Sequence, residues 1–330
     1  MKEFDEHGEP AKRKKRTLFN LFTRYEKDGK GVKKEAPITD FNFINFFKLY
    51  FRRFSKLVWT NALFILGNFP IAFLVFALSG YAGKVGAAPS SELFPILNGI
   101  RVAAGDLSPS LIPLEGIHGL MADLYIPTAF TYVLYGLSAL FLFTFGPVNA
   151  GCAYIIKNLL IGEPVFLWED FKSTIKQNWK QALPLGILDL IVLGLSFYAL
   201  YMYYFNYANY YVMFYMTLFV IMLYTFMRFY LYTMLVTFDL SLPKLYKNAA
   251  IFSLLGFGRN FILFLGIVMF AFLSFALAMV FLPLGVISIF FLLFSTTSFM
   301  GAYASYPKIK KYMIDPYYAK NPPSESSDEI

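Results

Sequence analysis

Cysteine and histidine are nearly missing from this sequence: 330 residues contain one cysteine, Cys152, and two histidines, His7 and His118. No disulfide framework and no His/Cys metal cluster can be built from three such residues. No metal or other cofactor is therefore expected. Charge is scarce as well, with Asp, Glu, Lys and Arg together making 15% of the chain. The sequence has no Asn-x-Ser/Thr acceptor, and no convergent set of His, Cys and acidic residues suggests a catalytic centre, so no enzyme activity is expected. A cleavable leader is not expected either. A long charged stretch precedes the first apolar run, and no cleavage-type site follows a short apolar one.

What fills the chain instead is apolar residues, at 58%, with aromatics alone at 20%. They gather into runs of the length that crosses a hydrocarbon core, about 20 helical residues. A soluble domain is excluded. The sequence predicts an all-α, polytopic membrane helix bundle with six transmembrane helices. The spans are expected at residues 57–80, 128–156, 182–205, 210–238, 261–282 and 286–306. Residues 1–40 read as a basic, disordered cytosolic tail, 41–308 as the membrane domain and 309–330 as a cytosolic C-terminal tail. A loop of about residues 81–127 joins the first two spans, with a short helix capped at Ser90 or Ser91 and running through Ala104.

The net charge of +8 raises the question of nucleic acid. Its placement argues for a membrane instead. Fifteen of the 29 Lys and Arg lie in residues 1–56, before the first span. Assigning the loops in turn places 26 on the side of the N-terminus and two, Lys84 and Arg101, on the other, with Arg228 inside a span. Such asymmetry reads as a plasma-membrane protein with both termini cytosolic. The run Lys12-Arg13-Lys14-Lys15-Arg16 also suits anionic lipid headgroups, at about 1 kcal/mol per side chain near the surface. A solvated tail is the alternative reading.

A unit recurs three times, starting near Phe41, Trp168 and Leu242. An amphipathic, lysine-bearing elbow helix enters one span, and a second span returns. The exits resemble one another: Gly151-Cys152-Ala153-Tyr154 and Gly301-Ala302-Tyr303-Ala304. This pattern predicts three elbow-helix-plus-hairpin units, although any hairpin with a basic inner face has something of the same look.

Three groups of residues stand out as candidate sites. Asp189 and Arg228 lie inside the third and fourth spans, at depths of roughly 10 and 15 Å for a rise of 1.5 Å per residue. Each alone costs roughly 2.5–3.5 kcal/mol at a helix centre, so they are expected to pair. That pair either fixes the hairpin or contacts a solute or partner. Gly146-Pro147, followed by Asn149, is expected to interrupt the second span and either bend it or shape a polar cavity. Trp168, Asp170, Phe171 and Trp179 on the second elbow are a candidate cytosolic partner face, with Phe171, Ile175 and Trp179 on one side. The tyrosines from Tyr198 to Tyr215 read as an outer aromatic belt, with stacking on sugar rings as a second reading. His118 and Asp123 read as loop residues.

The stretch 146–195 carries a more specific likeness. It holds Gly146-Pro147-Val148-Asn149-Ala150-Gly151, then Gly162-Glu163-Pro164, then Trp168-Glu169-Asp170-Phe171, then Lys176-Gln177-Asn178-Trp179-Lys180-Gln181-Ala182. In this order they resemble the YesL-like family of bacterial integral membrane proteins, over about half of the chain. The resemblance implies association with carbohydrate uptake, and so an accessory subunit or assembly partner of a carbohydrate ABC importer that contacts its permease or ATPase subunits. It carries over no catalytic residue. A stand-alone transporter or channel for a small solute is the alternative. A membrane enzyme and an ABC permease fit less well, the first for want of a reactive cluster and the second for want of an ATPase-engaging "E-A-A…G" segment.

Overall fold

The computed structural model describes residues 40–89, 93–106, 108–110, 112–113 and 121–320. The basic run at 12–16, the proposed caps Ser90 and Ser91, His118 and the last ten residues lie outside these. What is described is an all-α bundle with one small β ribbon. Helix α1 spans Phe43–Gly67 and α2 spans Ile71–Leu78. Strands β1 (Lys84–Pro89) and β2 (Met121–Ile126) flank helix α3 (Phe94–Ala104). Then come α4 (Ala129–Ser138), α5 (Phe141–Ile161), α6 (Leu167–Phe205), α7 (Tyr207–Leu235), α8 (Leu242–Leu255), α9 (Phe257–Val280) and α10 (Leu282–Ser288). A π-helical turn, Ile289–Leu293, leads into α11 (Phe294–Ile309), and a second, Lys310–Ile314, leads into α12 (Asp315–Lys320). Among the described residues, five helical stretches are long and apolar enough to cross a membrane, or six if α1 and α2 count as one broken span. The chain is thus built as a multi-pass membrane protein.

The first span breaks where its proline predicts. Asn68, Phe69 and Pro70 separate α1 from α2, and the two helices meet at 67°. Pro70 has no N–H to continue the ladder. The second span behaves differently from expectation. A tightened turn at Ala139-Leu140 separates α4 from α5 with both residues still in helical conformation, and α5 runs unbroken through Gly146 and Pro147. Pro147 removes only the bond to Phe143, which a helix packed among neighbours tolerates. Asn149 donates its side-chain N–H to the Phe145 carbonyl at 2.7 Å.

Gly146 has a different task. A Cβ there would meet the Ala182 carbonyl of α6, and a Cβ on Gly186 would lie on the backbone of Gly146. The two glycines let α5 and α6 touch backbone to backbone, and this is the most extensive helix contact in the bundle. Without lipid-excluding hydrophobic gain between apolar helices, close packing at small residues is what joins them. At its end α5 turns through Gly162, whose φ of 85° is the left-handed conformation that glycine adopts without strain.

The elbows are less separate than expected. The first is the start of α1 and the second the start of α6, each continuous with its span. Only α8 stands as its own helix, set off from α9 at Gly256. The turn between α6 and α7 is the single residue Asn206, and the fourth span starts at Tyr207 with a kink at Tyr210. At the other end of the chain, helical structure continues from α11 to Lys320 rather than stopping at 308. The loop after the first span pairs β1 with β2 in antiparallel register, Lys84 opposite Ile126, an element its sequence did not announce. Helix α3 within it ends at Ala104 as expected, capped by Gly105 at φ 75°.

Two polar clasps tie α1 to the end of the bundle. Arg259 on α9 donates to the carbonyls of Phe41 at 2.8 Å and Tyr303 at 2.7 Å, and the Tyr303 hydroxyl donates to the Asn42 carbonyl. Deeper, the fully buried Asn61 of α1 engages the π turn before α11. Its amide N–H groups donate to the carbonyls of Ile289 at 3.0 Å and Phe290 at 2.7 Å, and its Oδ1 accepts from the Ser295 N–H at 2.9 Å. A π turn disturbs the i→i+4 ladder, and buried backbone groups left unpaired are costly. Asn61→Ala is expected to destabilise the bundle by about 2 kcal/mol, within the range for orphaned buried groups. Thermal unfolding of the purified protein in detergent checks this; an unchanged Tm would refute it.

Candidate functional site

The buried stripe of α6 reads Ala182, Leu185, Gly186, Asp189, spaced at three, four and seven residues from the first. That is one helical face. The glycine contact with α5 draws this face into the bundle, and Asp189 goes with it. Its side chain is fully buried. On α7, Tyr224, Arg228 and Tyr232 recur every four residues, so they too share a face and turn it on Asp189.

The geometry around the carboxylate is complete. Arg228 Nε lies 2.9 Å from Oδ1 and 3.0 Å from Oδ2. The Tyr224 hydroxyl donates to Oδ1 at 2.9 Å and the Tyr232 hydroxyl to Oδ2 at 3.0 Å. Each oxygen therefore accepts from one tyrosine and shares the Nε proton. Charge-assisted bonds of this kind are roughly twice as strong as neutral ones. They offset the cost of placing a carboxylate among apolar helices.

Arg228 is not spent on this contact. Its side chain remains 28% exposed and lines a cavity of about 360 Å³ among α5, α7, α9 and α11. Among the described residues, neither Nη atom donates to a protein group. The walls combine Asn149 of α5, Thr225 and Thr233 of α7 and Thr297 of α11 with Ile156, Ile267 and Phe294. The volume falls in the range of small-molecule sites.

The structure therefore brings Asp189 and Arg228 together and places Asn149 on the cavity that Arg228 lines. Gly146 is buried in the α5–α6 contact, Pro147 is buried beside it in the chain, and neither is a cavity residue. The proposed partner face divides. Phe171 is buried against Gly151 and is no part of an exposed surface. Asp170 accepts from the Phe166 N–H at 2.8 Å and so fastens the start of α6. Trp168 and Trp179 are exposed and, eleven residues apart, lie on one face. Ile175 follows Phe171 towards Gly151, but Trp179 turns away from it. Tyr198, Tyr201, Tyr204, Tyr207, Tyr211 and Tyr215 are all exposed at the α6–α7 turn, with the hydroxyls of Tyr207 and Tyr215 3.0 Å apart.

Tyr224 and Tyr232 were missed in the sequence because they belong to a chain with 24 tyrosines. Their placement four residues on either side of an intramembrane arginine was the available signal. The described residues contain no group of three or more His, Cys, Asp or Glu arranged to hold a metal ion.

A family model with the description "Protein of unknown function, DUF624" matches residues 57–200, less than half of the chain. The matched stretch contains Gly146, Gly186 and Asp189 and stops short of Tyr224, Arg228 and Tyr232. No curated protein and no solved structure matches the chain.

Proposed function

We propose that this protein binds a small polar solute inside its helix bundle, in the cavity that Arg228 lines, and acts as a transporter for it. The observation that carries this reading is the division of labour in one guanidinium. Nε is fixed on the buried Asp189, and the two Nη groups have no protein acceptor among the described residues. A cation inside a span is expensive, and such residues mark solute and ion pathways, proton relays and counter-ions. Holding it by one nitrogen orients the rest of the group toward whatever enters the cavity. The asymmetry of Lys and Arg along the sequence supports both termini being cytosolic, and the YesL-like resemblance favours a bacterial cell membrane.

Uptake of a panel of radiolabelled organic acids and sugars into proteoliposomes tests the proposal. At least one solute should accumulate above empty liposomes. Ala153→Phe, which puts a large side chain into the cavity from α5, should reduce that uptake about 10-fold or more, since a blocked site loses its binding free energy. Uptake no greater than in empty liposomes, or unaffected by Ala153→Phe, would contradict it.

A second reading has its own support. The exposed Trp168 and Trp179 share a face of α6, and large aromatics anchor protein interfaces. With the YesL-like resemblance of residues 146–195, they favour an accessory membrane subunit of a carbohydrate ABC importer. Stoichiometric co-purification of permease and ATPase subunits, lost in a Trp168→Ala/Trp179→Ala variant, would favour that role over the first.

A further inference from the structure

We infer that the cavity recognises an oxyanion, a carboxylate or a phosphate ester, carried by a ligand whose remainder is largely apolar. The inference rests on the cavity reading and specifies its ligand. It follows from counting which hydrogen-bonding groups the walls have left to offer. Thr225, Thr233 and Thr297 each give their only hydroxyl proton to a carbonyl of their own helix, those of Ile221, Phe229 and Phe294. Asn149 gives one amide proton to Phe145. Among the described residues, the second amide proton of Asn149 and the hydroxyl of Ser298 stay uncommitted on the wall, and the charged donors that remain are the two Nη groups of Arg228.

The negative partner does not cancel this in the cavity. Asp189 is fully buried behind the guanidinium, and both of its oxygens are occupied by Tyr224, Tyr232 and Nε. A ligand in the cavity therefore meets the cation and not the carboxylate. Two parallel N–H groups on a planar fork match the two oxygens of a carboxylate or phosphate. A neutral polyol could use the Ser298 hydroxyl, the Asn149 amide and the threonine oxygens, but it brings no charge to answer the guanidinium. The rest of the surface, including Ile156, Ile267, Leu293 and Phe294, suits an apolar body. An anionic phospholipid and a small organic acid share this chemistry.

The test uses the full chain. Titration calorimetry in neutral detergent measures binding of hexanoate, inorganic phosphate and glucose. Thermal unfolding in nanodiscs of phosphatidylcholine, with or without phosphatidylglycerol, examines a lipid source. Two variants accompany the wild type. Asp189→Asn/Arg228→Gln removes both charges at once, so neither is left unpaired, and Ala153→Phe fills the cavity. Hexanoate or phosphate binding that weakens about 10- to 100-fold in both variants supports the inference with a soluble ligand, as expected for loss of a charge-assisted pair of bonds. Stabilisation by phosphatidylglycerol alone, lost in both variants, supports it with a lipid ligand. Glucose binding that falls in Ala153→Phe and persists in Asp189→Asn/Arg228→Gln overturns the oxyanion and leaves the cavity reading standing. No charge-dependent response to any anionic probe also overturns it, and the uptake measurement with Ala153→Phe then decides the cavity reading separately.

Discussion

Gly186→Ala is expected to destabilise the bundle by about 3 kcal/mol, the upper end of what overpacking costs, because the atoms in the way are backbone and cannot turn aside. The added methyl would fall on Gly146 of α5. Relief requires α5 and α6 to move apart along their whole contact, and Asp189, one turn further along α6, moves with it. The same change at Gly194, two turns on, is the control. Nothing lies within 4 Å of a Cβ there. Gly194→Ala should be neutral or stabilising by up to about 1 kcal/mol, the helix-propensity difference between the two residues. Thermal unfolding of the two variants in the same detergent compares one methyl at two sites of one helix. Equal effects would show that the glycine contact does not hold the helices together.

Asp189→Ala is the second large effect. Removing one partner of a buried ion pair typically costs about 3–5 kcal/mol, since the other charge is left behind. Arg228 retains some exposure to the cavity, which places the expectation near 3 kcal/mol on that scale. Tyr224 and Tyr232 would lose their acceptor as well. Asp189→Asn/Arg228→Gln should be milder than Asp189→Ala, because it leaves no charge unpaired and keeps a hydrogen-bonding group on each helix. A double variant at least as unstable as Asp189→Ala would contradict the pairing as the source of the effect.

How far the sequence could be read depended on whether a feature is local. The apolar runs and their charged flanks are local, and the helices lie where those runs fall. Asp189 and Arg228 were legible as a pair because single charges inside apolar runs have few alternatives, and because a short turn makes α6 and α7 neighbours. Pro70 broke its helix where α1 ends, but Pro147 did not break α5. The difference lies in the surroundings: α5 stays helical across its missing bond where Pro147 is buried, and no residue near 147 reports its neighbours. The tightened turn at Ala139-Leu140 has neither glycine nor proline to mark it. Gly146 was conspicuous, but its purpose depends on Gly186, forty residues away, and only the packed pair explains either. Phe171 looked like part of an exposed aromatic face until Gly151 supplied the space that buries it. The clasp of Asn61 on the π turn had no sequence signature, since nothing in Ile289–Leu293 announces a π turn.

A solute site beside Arg228 requires that the space there be wet and open, and cysteine accessibility measures that directly. The single native cysteine, Cys152, is buried and can be replaced by alanine to give a background free of thiols. Into it, Thr297→Cys places a thiol on the cavity wall, and Phe272→Cys places one at a position 67% exposed on α9, in an apolar span. Only a thiolate reacts quickly, and a thiolate needs water or a nearby cation. The account predicts that a water-soluble anionic methanethiosulfonate labels Thr297→Cys in detergent at least about 10-fold faster than Phe272→Cys, and that adding Ala153→Phe removes the difference. Equal, slow labelling of the two positions would contradict it.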